Sequence, residues 1–136
     1  MSEPDAQKRW SLQAASLVND AYSTLSNELQ RATYLLKCQG IYIDEETDTQ
    51  MDPMFLMEQM EYRETLESAE SASDPLAAVS KIRKTIKKSI KSQVESFALS
   101  ADKGDWQACR NITRQWQFLD KLLSEAKAIE ERLDNP

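Results

Sequence analysis

Twice in this chain an aspartate is followed at once by a proline, at Asp52-Pro53 and at Asp74-Pro75, and each pair opens a long stretch of helical periodicity. Such a pair is a strong helix start. The carboxylate can accept from the first free backbone N–H groups, and proline tolerates the first helical position because its missing N–H would have had no partner there. The first helix so marked runs from Pro53 to about Ser71, and the second from Pro75 to about Ser100. Ser71 to Asp74 and Ala101 to Asp105 are too short for anything but turns, and a last helix follows from about Trp106 to Leu133. Long helices joined by short turns must pack antiparallel to their neighbours. Residues 53–134 therefore read as an antiparallel three-helix bundle. The composition agrees: the sequence has only two Gly and is rich in Glu, Lys, Leu and Ala, the usage of an all-α protein.

The apolar positions say which faces pack. Leu76, Val79, Ile82, Ile86, Ile90, Gln93 and Phe97 line one side of the second of these helices, and Lys81, Arg83, Lys84, Lys87, Lys88 and Lys91 make its outer side basic. A basic helix face is usually a solvated face. In the last helix, Cys109, Ile112, Trp116, Leu119, Leu123 and Ala126 form a near-heptad seam. Ahead of the bundle, Ala14, Leu17, Val18, Ala21, Tyr22 and Leu25 step by three and four along a helix from about Trp10 to Leu25. Asn27 is an N-cap for a shorter helix to about Gln39, with Leu29, Ala32, Leu35 and Leu36 inward, and Gly40 is its C-cap. Residues 41–52 form a linker with Asp44, Glu45, Glu46 and Asp48, in which Ile41 and Ile43 can tuck against a neighbour. Residues 10–39 are too few to be stable alone and are expected to dock on the bundle, belong to a larger unit or be loosely folded.

The helix after Pro53 is apolar on two opposite sides. At about 100° per residue, Phe55, Gln59, Tyr62, Leu66 and Ala69 share one face, the stripe that a bundle core requires. Leu56, Met57 and Met60 lie on the other side, beside Glu61 and Glu64. Phe118 stands about 100° from the seam position Leu119, so it too has no evident place in the core. A second apolar cluster bordered by carboxylates must meet a deeper core, another part of the chain or a partner.

Chemistry is sparse. The sequence contains no histidine, which removes the commonest general base and the commonest metal ligand. It has neither a Gly-rich phosphate loop nor a nucleophile elbow, and Cys38 and Cys109 lie too far apart to read as a metal-binding pair. No enzyme activity, cofactor or metal is expected. The net charge of −6 argues against a general nucleic-acid binder, which relies on cation–phosphate contacts. No apolar run approaches the roughly 20 residues that cross a bilayer, and the start has no basic-then-apolar signal peptide. The two thiols fit a reducing compartment.

Two stretches together resemble a known family. Val18-Asn19-Asp20-Ala21-Tyr22-Ser23-Thr24-Leu25 is similar to the third helix of a J-domain, and Arg31-Ala32-Thr33-Tyr34-Leu35-Leu36 up to Gly40 resembles the fourth. Met54-Phe55-Leu56-Met57-Glu58-Gln59-Met60-Glu61 with Arg63-Glu64, and Phe118-Leu119-Asp120-Lys121-Leu122, resemble the C-terminal domain of J-type co-chaperones of iron–sulfur cluster assembly, the HscB type. The resemblance spans about residues 10 to 134. It implies a partial J-domain at 1–40 made of its last two helices, a linker at 41–52, and a scaffold-binding three-helix bundle at 53–134.

It also implies a function. Such co-chaperones bind the iron–sulfur scaffold protein (IscU type) through the bundle and deliver it to a DnaK-class chaperone (HscA type), whose ATP hydrolysis the J-domain stimulates. Leu56, Met57 and Met60 match the family's apolar scaffold contacts, Glu61 and Glu64 its acidic ones, and Phe118 an aromatic one. Ser68 stands where the family often has a further acid. The family's J-domain carries a His-Pro-Asp loop, and a sequence without histidine cannot supply it. Glu3-Pro4-Asp5 is too close to Asn19 to be its equivalent. The resemblance thus implies a chain that starts beyond that loop, with weakened or absent chaperone stimulation. A bacterial cytoplasm is the expected location, with a mitochondrial matrix as the alternative. The competing expectation is a generic helical interaction module that self-associates through the second apolar cluster.

Overall fold

The computed structural model describes residues 27–43 and 52–135. These form four helices: α1 (Glu28–Cys38), α2 (Pro53–Glu70), α3 (Pro75–Asp102) and α4 (Trp106–Asp134), with no strand among the described residues. The expected helix over 10–25 and the acidic part of the linker lie outside the described residues.

Each helix begins as its sequence dictates. Asn27, Asp52, Asp74 and Asp105 accept hydrogen bonds from the backbone N–H groups of Gln30, Met54, Ala77 and Ala108 at 3.1, 3.1, 3.3 and 3.1 Å. Pro53 and Pro75 occupy the first turns. The two glycines of the chain end α1 and α3, with φ of +74° at Gly40 and +71° at Gly104. In both cases the glycine N–H and the next N–H turn back onto the helix. Gly40 bonds Lys37 O and Ile41 bonds Leu36 O, while Gly104 bonds Ala101 O and Asp105 bonds Ser100 O. That pairing satisfies carbonyls the helix end would strand, and it needs a left-handed residue at one position. Asp105 thereby closes α3 and caps α4 at once, which is how the three residues from Lys103 to Asp105 reverse the chain.

Side-chain pairs fix the directions. Arg63 with Glu125 and Glu70 with Arg132 are each 62 residues apart, so α2 and α4 run parallel. Arg83–Glu130, Gln93–Gln115 and Cys109–Phe97 have separations that fall from 47 to 22 to 12, so α3 and α4 run antiparallel. At one end of the bundle Leu66 and Ala69 of α2 bury against Val79, Ile82 and Ile86 of α3 and Leu119, Leu122 and Ala126 of α4. At the other end α1 sets Ala32 and Leu36 against Phe97, Cys109 and Trp116, with Ile41, Ile43 and Trp106 packed around them. The shorter helix thus docks on the bundle, as its small size demands.

Several positions differ from the sequence expectation. Leu35 is 45% exposed although its spacing points it inward, because α1 meets the bundle along one narrow line through Ala32 and Leu36. Leu76 is 40% exposed, since α3 begins beyond the reach of its neighbours. In α4 it is Leu122 that is fully buried, while Leu123 is only half-buried. Leu122 belongs to the main core cluster with Leu66, Val79 and Ile86, whereas Leu123 packs only at its edge. α3 also runs to Asp102, two residues past the expected end.

Candidate functional site

The outer side of α2 is bare. Leu56, Met57 and Met60 are 44%, 62% and 63% exposed, and Glu61 and Glu64 are exposed beside them. The same helix buries Phe55, Leu66 and Ala69 on its inner side, so both halves of its double apolar pattern are real. The inner stripe goes into the core, and the second cluster is left in solvent.

Phe118 is placed differently from the sequence expectation of no core role. It is half-buried and packs against the main core cluster. Its ring meets Phe55 edge to face, with centroids 5.7 Å apart and planes at 87°. The Arg63 guanidinium lies over the same ring, 5.8 Å from its centroid. Arg63 also donates to both carboxylate oxygens of Glu125, at 2.8 and 3.4 Å. Phe118 therefore sits where α2 and α4 meet, between Phe55 and Arg63. Sequence reasoning assigned no role to Arg63. The signal was its position one turn beyond Met60, next to a helix that offers Glu125.

The six expected contact residues do not form one patch. At about 100° per residue, Leu56 and Met60 lie on the flank of α2 that Arg63 extends toward Phe118. Met57 and Glu64 point away from both neighbouring helices. Glu61 turns the other way and, with Ser68, lines an open cleft of about 760 Å³ between α2 and α3. Glu58 and Lys81 stand on that cleft's rims, over a floor that includes Ala69, Ala78, Ile82, Thr85 and Ser89. The Tyr62 hydroxyl and Ser89 Oγ, 2.8 Å apart, tie the two helices together at one end of it.

The matrix of ion pairs around the site is graded by exposure. Arg63–Glu125 is about half exposed, whereas Arg83–Glu130, at 2.8 Å, is largely covered. Neither thiol lies in the site. Cys38 is exposed on α1, and Cys109 is buried, where loss of hydration pushes its thiol above the ordinary value of 9.0, helped by the negative charge of Asp105.

The family model for the HSCB C-terminal oligomerisation domain matches residues 51–127, more than half of the chain. The chain belongs to the HscB co-chaperone family. The co-chaperone HscB homolog of Burkholderia multivorans is 39% identical over 130 residues, a match that covers 96% of this chain and 74% of the relative. The homolog of Aliivibrio salmonicida is 43% identical, over 90% of this chain and 72% of its own length. Among solved structures, the chaperone HscB from Vibrio cholerae superposes with a TM-score of 0.81 at 36% identity, covering 97% of this chain and 76% of that one. The human co-chaperone HscB gives 0.79 at 33% identity, over 95% and 62% of the two chains. The bundle helices of this HscB-family chain thus carry the family's fold, and its exposed α2 cluster lies within the matched domain. Among the described residues, no helix is long and apolar enough to cross a membrane.

Proposed function

We propose that this HscB-family chain is an adaptor of iron–sulfur cluster assembly, which holds the cluster scaffold protein on the outer face of α2 and the adjoining edge of α4 at Phe118, and presents it to a DnaK-class chaperone. The observation that carries this proposal is the solvent exposure of Leu56, Met57 and Met60 on a well-capped helix of a family-matched domain. A bundle of this size has no structural use for three large apolar side chains in water. A partner that covers one of them fully gains about 1.5–3 kcal/mol from its removal from water. Methionine suits such a surface because its unbranched chain adapts to the shape pressed against it. Glu61 and Glu64 contribute orientation and encounter rate more than affinity. Bacterial relatives favour a bacterial cytoplasm over a mitochondrial matrix.

The sequence contains no histidine, so a His-Pro-Asp loop is not among its residues, and the proposal concerns the scaffold-holding half of the family's work. The deciding experiment is a calorimetric titration of the full chain with a scaffold protein of the IscU type. Saturable one-to-one binding that Leu56→Ala and Met60→Ala weaken, with helicity unchanged, supports the adaptor. Unchanged binding by both variants refutes the assignment of the surface. The second reading is self-association, favoured by the description of the matched family as an oligomerisation domain. Sedimentation equilibrium separates the two: a dimer dispersed by the same two substitutions supports the second.

A further inference from the structure

The α3 side of the α2–α3 cleft carries a charge pattern that the fold does not use. From Pro75 to Val94 there is no acidic residue, yet six cations stand between Lys81 and Lys91, in a chain of net charge −6. Among the described residues, Arg83 alone of the six turns inward to a carboxylate, Glu130. Lys84, Lys87, Lys88 and Lys91 are exposed and make no ion pair among the described residues. Lys84 and Lys88, and Lys87 and Lys91, are one turn apart, so the row repels itself and weakens the helix that bears it. Lys81 brings the row down to the rim of the cleft. Across the gap the opposite rim is acidic, with Glu58 and Glu61.

We propose that this cleft seats an amphipathic helix of a partner protein, which lays small apolar residues on the floor and an acidic edge against Lys81 on the rim and Lys88 two turns beyond it on the same face. The shape fits a helix. The rim from Glu58 to Ser68 spans three turns, about 15 Å. Around Ile82 the floor side chains Ala69, Ala78, Thr85 and Ser89 are small, which lets a helix axis come close. The opposed rims select an occupant acidic along one edge and neutral or basic along the other. A lipid surface fits poorly, because the side chains interleaved with the lysines are Thr85, Ser89 and Ser92, with no large apolar group to insert. Nucleic acid fits poorly too, since Glu58 and Glu61 would face its phosphates. The cleft shares Glu61 with the scaffold face, but its basic rim and half of its floor belong to α3, away from Leu56 and Met60, and the proposal goes beyond the adaptor function.

The test uses the full chain and an 18-residue helical peptide with an Ala/Leu seam, glutamates along one edge and lysines along the other. Its near-zero net charge removes the general attraction between polyelectrolytes. A peptide of the same composition in shuffled order is the control. Saturable one-to-one binding is expected, with NMR shifts confined to the cleft around Ser68, Ala78 and Thr85. Lys81→Glu combined with Lys88→Glu should weaken it at least tenfold at unchanged helicity. Met60→Ala should leave it intact, and the lysine variant should leave scaffold binding intact, so failure of one surface is distinguishable from failure of the other. Equal binding of the shuffled peptide overturns the proposal. So does indifference to the lysine reversal, or tighter binding of duplex DNA or phosphatidylglycerol vesicles than of the ordered peptide.

Discussion

Phe55 and Phe118 meet edge to face across the α2–α4 boundary, with ring centroids 5.7 Å apart. That contact makes Phe118 part of the core wall, while the Arg63 guanidinium covers its ring from the α2 side. Edge-to-face pairs contribute about 0.5–1.5 kcal/mol beyond the burial of their surface. Phe118→Ala should therefore lower the stability of the fold, by about 2 kcal/mol when its partial burial is included, as well as the affinity for a scaffold protein. Urea unfolding measured alongside the titration checks both effects. A variant that loses affinity with full stability would show that Phe118 belongs to the partner surface alone.

Leu56 and Met60 should behave in the opposite way. Both are already in water, so Leu56→Ala and Met60→Ala should leave the unfolding midpoint within about 0.5 kcal/mol of the parent. If each is a covered anchor in the complex, binding should weaken about 10- to 100-fold, as 1.4 kcal/mol per decade implies. A thermal midpoint that drops by several degrees would place these side chains in a packed environment.

The two cross-helix arginine pairs should differ in strength. Arg63–Glu125 is about half exposed, and pairs of that kind contribute roughly 0–1 kcal/mol, with the stacking on Phe118 adding about 0.5–1. Arg83–Glu130 is three-quarters covered, and removal of one partner strands the other with little water. Arg83→Ala should cost more than Arg63→Ala, and its cost should survive 0.5 M salt. Denaturation of both variants at low and high salt checks the order.

Gly104 has φ of +71° and no neighbouring atom that an added Cβ would meet. Gly104→Ala thus tests backbone conformation alone. It should destabilise the protein by about 1–2 kcal/mol, the penalty for an L-residue in the left-handed region. Measured two-state unfolding gives the answer directly, and a neutral effect would mean the α3–α4 turn relaxes.

Cys109 provides a pH signature. Its folded thiol is held above the ordinary value, first by burial and then by Asp105, so the folded state keeps a proton that the unfolded chain releases. The resulting stabilisation is present in full below the ordinary thiol value and is lost as pH rises from there through the raised one. Stability should fall above about pH 9 in the parent and fall less in Cys109→Ala. In native protein a thiol reagent should react fast with exposed Cys38 and with Cys109 only on unfolding.

Much of this was legible in the chain because it depends on neighbours in sequence. Asn27, Asp52 and Asp74 cap the helices they precede, and Gly40 ends α1, since capping is settled within four residues. The double apolar character of α2 was legible too, and with it the bare trio Leu56, Met57 and Met60. Leu76, Leu35 and Leu123 were misplaced because periodicity gives the direction of a side chain but not whether another helix stands opposite it.

The sequence by itself determined an all-helical chain, the starts and ends of its bundle helices and the presence of a second apolar cluster, all consequences of local hydrogen bonding and a fixed 100° step. Only the tertiary structure decided that Phe118 is wedged between Phe55 and Arg63, that Leu122 rather than Leu123 completes the core, and that Glu61 faces a cleft away from Met60. Those outcomes depend on the distance and rotation between helices that touch across more than sixty residues of chain, which no single helix's pattern encodes.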